Sequence, residues 1–151
     1  MSVLGSGLAG AVALNAIHET VRRIRPEDAP RMDTYGRRAI ARGMEAVGIE
    51  PPSEGKLQGL ALAGDLLTNA LYYALVGVGS PGPGEAMLRG AALGSAAGIG
   101  AVVLPPLMGL GSAPSRRTPQ TKVMTFAWYL AGGLAAAGVW SLVNRRSRVA
   151  R

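Results

Sequence analysis

Residues 57–78 read LQGLALAGDLLTNALYYALVGV, and how this stretch is read decides the fold. A helix needs about 20 predominantly apolar residues to cross a hydrocarbon core about 30 Å thick. The stretch is long enough, yet it carries a carboxylate, Asp65, in its interior. A central Asp costs about 2.5 to 3.5 kcal/mol on insertion scales, and each Leu or Val returns about 0.3 to 0.6. Seven Leu and two Val therefore bring the segment roughly to balance. Such a segment inserts together with its neighbours, and its Asp faces protein rather than acyl chains.

The neighbours are of the same kind. Residues 3–24, 86–110 and 123–143 are also long and apolar, and the last two hold Arg89 as their only charge. A helix apolar on all sides requires lipid around it. The expectation is an all-α polytopic membrane protein, a single membrane domain over 1–151, with four transmembrane helices in one bundle. Its expected location is the plasma (inner) membrane of a bacterium, with several passes. No Lys or Arg precedes Val3 and no cleavage site interrupts the first apolar run, so it reads as a retained helix rather than a secretory signal.

The polar region 25–56 separates the first two spans and is bounded by Pro26 and Pro30 at one end and Pro51 and Pro52 at the other. From Met32 the apolar positions Tyr35, Ala39, Ile40, Met44 and Val47 recur at helical spacing, with Arg37, Arg38 and Arg42 opposite. This predicts an amphipathic interfacial helix, with Met and Ile toward lipid and the arginines as a membrane-surface basic group. The alternative is a helix that caps the bundle against its own loops. The run Gly79 to Gly84 predicts a tight turn and an antiparallel hairpin of spans two and three. Pro105 and Pro106 predict a kink or stop near the end of span three.

Basic residues set the orientation. Arg22, Arg23, Arg25, Arg31, Arg37, Arg38, Arg42, Lys56, Arg116, Arg117 and Lys122 border the first and third loops, against Arg89, Arg145, Arg146, Arg148 and Arg151 on the other face. By the positive-inside rule the first loop is cytoplasmic and both termini are outside. The net charge of +7 is explained by these positions at the span ends. No nucleic-acid motif or aromatic platform accompanies it, which excludes nucleic acid as the expected partner. The lipid bilayer is the expected partner, with a second copy of the chain or another membrane protein meeting its glycine faces.

Several motifs fail on context. Gly5, Gly7 and Gly10 match G-x-G-x-x-G, as do Gly77, Gly79 and Gly82, but no alternation of strand and helix follows. His18-Glu19-Thr20-Val21-Arg22 places Arg where the second His of a zinc helix belongs. Cysteine is absent, so no thiolate chemistry, disulfide or cysteine metal site exists. No metal, no cofactor and no catalytic residues are expected.

Glycine has a better use in packing. Gly90, Gly94 and Gly98 stand four apart, as do Gly133, Ala137 and Ser141, so another backbone can approach closely within one bundle or between two copies. Spans one and two also echo each other: Leu8-Ala9-Gly10 precedes Asn15 as Leu62-Ala63-Gly64 precedes Asn69. Were the echo real, it would place paired amides in one core.

The chemistry lies in the polar residues within the spans. Asp65 lies about 13 Å below Lys56, His18 about 10 Å below Arg25 and Tyr129 about 10 Å below Lys122, at 1.5 Å per residue. Asp65, His18 and Tyr129 thus share a layer, and with Asn15, Glu19 and Asn69 they form a candidate ligand or ion pocket. Arg89 enters from the other face and snorkels to its own interface. The expected function is a small, non-enzymatic structural or accessory membrane protein; the alternative is a small transporter or channel subunit using Asp65. The protein is expected to resist alkaline carbonate washing of membranes and to need detergent for extraction. A monodisperse preparation in plain buffer would remove the premise.

Overall fold

A computed structural model describes residues 3–149, with side chains described to Asn144; the calls on the tail arginines Arg145, Arg146, Arg148 and Arg151 lie outside the described side chains. Six helices follow one another: α1 Val3–Ile24, α2 Met32–Ala46, α3 Glu54–Ala74, α4 Pro83–Leu107, α5 Ala113–Arg116 and α6 Pro119–Val149. A short turn of tighter helix, Leu75–Gly77, extends α3. The chain is all-helical among the described residues.

Three helical stretches, Glu54–Gly77, Pro83–Leu107 and Pro119–Asn144, are long and apolar enough to cross a membrane. The first helix, expected as a fourth span, is not among them. Its length suffices, but Asn15, His18, Glu19, Arg22 and Arg23 in its second half lower its apolar content.

Small residues fix the packing order. The contact between α4 and α6 is the most extensive in the molecule. It is made where Gly90, Gly94 and Gly98 meet Gly133, Leu130 and Phe126; a Cβ built on Gly133 would lie 2.2 Å from the Gly90 carbonyl oxygen. The glycine ridge therefore serves a contact inside the bundle. On its other side α6 receives α1, where a Cβ on Gly10 would fall 2.6 Å from the Gly132 carbonyl oxygen. In turn α1 receives α3, with Gly7 against Ala70 and Ala74. The long helices thus stand in the order α3, α1, α6, α4.

That order modifies the expected hairpin. The connection between α3 and α4 is short, and Ser80 (φ 56°) and Gly79 (φ 76°) make its tight turn. Yet the two helices share few contacts beyond it, chiefly the Tyr72 hydroxyl donating to the Leu93 carbonyl at 3.0 Å. The glycine face of α4 is taken by α6 instead. The helix α4 passes through Pro105 and Pro106 and ends at Leu107, where Gly109 (φ 70°) reverses the chain and Leu110 N–H donates to the Pro105 carbonyl.

The aromatic residues fill the bundle. Tyr73 is fully buried, its ring against Gly132 and its hydroxyl donating to the Tyr129 carbonyl at 2.7 Å. Trp128 and Trp140 are buried as well, and Trp140 Nε1 donates to the Pro81 carbonyl at 3.2 Å, tying the α3–α4 turn to α6. Outside, the helices present Leu4, Leu8 and Val12 on α1, Leu67, Leu71 and Leu75 on α3, and Leu88, Ile99 and Val103 on α4.

The second helix caps the bundle. Its Gly36 rests on Ala61 of α3, and its buried Tyr35 exchanges a hydrogen bond with Ser115 Oγ of α5 at 2.9 Å. Arg37 pairs with Glu54 at 2.9 Å and Asp33 at 3.6 Å. Arg38 donates to the Leu110 carbonyl at 2.6 Å and Arg42 to the Met108 carbonyl at 3.4 Å, both just beyond the negative end of α4. All three arginines thus have protein partners, Arg38 and Arg42 while still exposed, and Met32 and Ile40 line a space between α2 and α3.

A side chain at the α4–α6 seam has no space. Gly90→Val is expected to cost at least about 1 to 3 kcal/mol through overpacking. Gly138→Ala, at a position whose Cβ would meet nothing within 4 Å, should be neutral or slightly stabilising. Thermal unfolding in detergent micelles compares the two.

Candidate functional site

The inward stripe of α3 is Leu57, Ala61, Asp65, Asn69 and Tyr73, four residues apart, so Asp65 sits on the face turned to α1. Both of its oxygens are held by amides. Asn69 Nδ2, one turn along α3, donates to Oδ1 at 3.0 Å, and Asn15 Nδ2 on α1 donates to Oδ2 at 3.0 Å. Asn15 Nδ2 also reaches the Ala11 carbonyl at 3.0 Å, which fixes its rotamer. Hydrogen bonds to an ionised acceptor are stronger than neutral ones, and these two clamp α1 to α3. The two amides of the repeated pattern thus meet on one carboxylate. The Leu-Ala-Gly part of the echo has no common environment: Gly10 is packed, while Gly64 faces open space.

Above the clamp, toward the first loop, α1 and α3 diverge and leave a cavity of about 670 Å³ roofed by α2. Asn15, His18, Glu19, Asp65, Asn69 and Tyr129 all line it. Only three of them touch one another. His18 Nε2 donates to the Pro30 carbonyl at 2.8 Å, and its ring lies 5.2 Å from that of Trp128, so it anchors the first loop to the bundle. Glu19 is held by Arg22 at 2.6 Å and Arg23 at 2.9 Å on its own helix. It does not form a carboxylate pair with Asp65. Tyr129 contributes its side chain to the wall and its carbonyl to Tyr73.

The charges around the cavity are unevenly matched. Asp33 has Arg37, Glu19 has two arginines, and Arg89 is engaged with Glu85 and the Val78 carbonyl at the far end of the bundle. Among the described residues Asp65 has no cationic partner within ion-pair distance. A carboxylate accepts about four hydrogen bonds, and the amides use two. The site is therefore able to hold a positive group. No group of three or more metal-ligating side chains occurs among the described residues.

The α2 wall was missed from sequence. Met32, Tyr35, Ala39 and Ile40 line the cavity; their helical periodicity fits both the lipid-facing and the bundle-capping reading and does not point to a site. A second polar cluster had no signal. Thr121 Oγ1 donates to the Asp28 carbonyl at 2.9 Å, and Thr125 Oγ1 donates to the carbonyls of Ser115 and Thr121, joining the first and third loops over the core.

Replacing Asn15 or Asn69 with Ala removes one bond to the half-buried Asp65. Each is expected to lower stability by about 1 to 2 kcal/mol. The double substitution should exceed the sum, because the carboxylate is then left without a donor, and a double-mutant cycle in micelles measures the excess. Comparison with protein-family models, with curated proteins and with solved structures finds no match for the chain.

Proposed function

We propose that the chain is a four-span integral membrane protein of the bacterial plasma membrane, without enzymatic activity, that binds a small solute in the Asp65 cavity as a transporter or channel subunit. The observation that carries the reading is a carboxylate inside an apolar helix, without a cationic partner among the described residues, at the head of a 670 Å³ cavity. An ionisable group at such a depth is expensive and marks a functional path more often than a structural contact.

The fourth span rests on which side of α1 is polar. Leu4, Leu8, Val12 and Ala16 form an exposed apolar row, while Asn15, His18 and Glu19 turn to the cavity. Exposed Thr20 donates internally to the Ala16 carbonyl at 2.7 Å. Mean hydropathy counts inward and outward residues alike, and so undervalues a helix whose polar groups line a protein cavity.

The accessory reading keeps one specific support, the amide clamp, which satisfies Asp65 within the fold. A protein that only scaffolds a membrane assembly uses the carboxylate as a fastener and nothing more. The cavity, which a fastener does not need, favours the solute reading.

Topology and function are tested separately. The cysteine-free chain accepts single cysteines at Gly43 and Gly82, both with open space around a Cβ. An impermeant maleimide is expected to label Gly43→Cys from the cytoplasmic side and Gly82→Cys from the outside, and an antibody to reach an N-terminal epitope from the outside. An epitope on the Gly43 side would mean that α1 does not cross. In reconstituted vesicles, monovalent-cation flux is expected with the natural chain and lost with Asp65→Asn; equal flux in both returns the carboxylate to a structural role.

A further inference from the structure

We infer that the Asp65 cavity is a site for an organic ammonium ion with an apolar body, its positive head at the carboxylate. The inference rests on the solute-binding reading above and names the ligand class.

Charge, size and lining point the same way. The charged side chains on the wall are Glu19, Asp33, Asp65 and Arg22. Arg22 is held by Glu19 at 2.6 Å and Asp33 by Arg37 at 3.6 Å, which leaves Asp65 as the charge without a counter-ion among the described residues. An anion would meet that carboxylate unscreened. A hard metal ion takes six or more oxygen ligands, and the site offers one carboxylate whose oxygens already receive two N–H groups. An ammonium donates hydrogen bonds and needs only the acceptor positions that the amides leave.

The remainder of the space suits a hydrocarbon. About 670 Å³ falls in the range of about 300 to 1,000 Å³ common to small-molecule pockets, and a bare ion would leave most of it to water. Beyond Asp65 the wall is mostly apolar, with Met32, Ala39 and Ile40 of α2 and Ala61 and Leu62 of α3, interrupted by Gln58 and Thr68. Met adapts its shape to irregular ligands, and such apolar walls favour a body of aryl or alkyl character. The polar head at mid-helix and the apolar stem under α2 give the ligand one orientation.

The test uses the full chain in nonionic detergent micelles, with tritiated phenylbutylamine as probe, empty micelles as background, and phenylbutanol and phenylbutyrate as neutral and anionic counterparts. Saturable binding of the amine is expected, with competition by the alcohol and the acid weaker by about tenfold or more. Asp65→Asn should weaken binding by about 30-fold or more. Gly64→Leu is the second variant, in case the first fails to fold. Gly64 is exposed at the border of the cavity and its Cβ would meet nothing within 4 Å, so leucine adds bulk at the cavity's open side with the carboxylate unchanged. It too should abolish binding. Competition by added phosphatidylethanolamine would assign the ammonium to a lipid headgroup; competition by free amines alone would assign it to a soluble ligand.

Equal competition by phenylbutanol, unchanged binding in Gly64→Leu, or no saturable binding of the amine overturns the inference. Cation flux and cysteine labelling do not use the probe. A protein that passes those tests and ignores phenylbutylamine keeps the solute-binding reading and loses this ligand class.

Discussion

The backbone contact between α4 and α6 sets the position of everything else. Where Gly90, Gly94 and Gly133 meet, no side chain separates the two helices, and van der Waals contact accumulates over their length. With α4 committed to α6, the short turn after Gly77 cannot bring α3 flat against α4. Instead α3 packs on α1, and α1 on the free side of α6 through Gly7 and Gly10. Asn15 is thereby brought opposite Asp65.

The same small residues create the cavity by stopping. Gly7 against Ala70 and Ala74 holds α1 and α3 together near the α3–α4 turn. Toward the first loop the facing positions are Asn15, His18 and Glu19 on one side and Asp65, Leu62 and Gln58 on the other, and the helices separate. The amide clamp closes the narrow end of the resulting wedge. The wide end is covered by α2, held at Tyr35 by Ser115 and at Arg38 and Arg42 by the carbonyls that follow α4. Because α2 supplies the apolar wall, its amphipathic face has a protein partner.

Much of this was legible in the sequence and the rest was not, for a physical reason. Helix positions come from local hydropathy and breakers: 3–24 coincides with α1, the helix from Met32 with α2, and the stop after Pro105 and Pro106 with the end of α4 at Leu107. Depth along a helix is also local arithmetic, which put His18, Asp65 and Tyr129 in one layer. Partner choice is not local. Nothing in residues 86–110 states whether Gly90 meets α3, α6 or a second copy, and nothing in Thr121 or Thr125 names Asp28 or Ser115 as acceptors. The span count sits between the two cases. The polar residues of α1 are visible, but their inward direction depends on what stands beside them.

Asp65 is where the energetic terms nearly cancel. Placing the carboxylate at mid-span costs about 2.5 to 3.5 kcal/mol. Two hydrogen bonds within a membrane bundle return about 0.6 to 1.7 each. The clamp offsets much of the cost without exceeding it. An Asn at the same position would accept one of the two amides with no charge to bury, and a Leu would add apolar area in an apolar helix. Asn in place of Asp65 leaves one of the two amides without its acceptor, and Leu leaves both, buried Asn69 among them. What neither provides is a negative charge with two acceptor positions free, facing 670 Å³ of space beneath an apolar roof. The carboxylate thus fastens α1 to α3 and keeps acceptor positions toward the cavity.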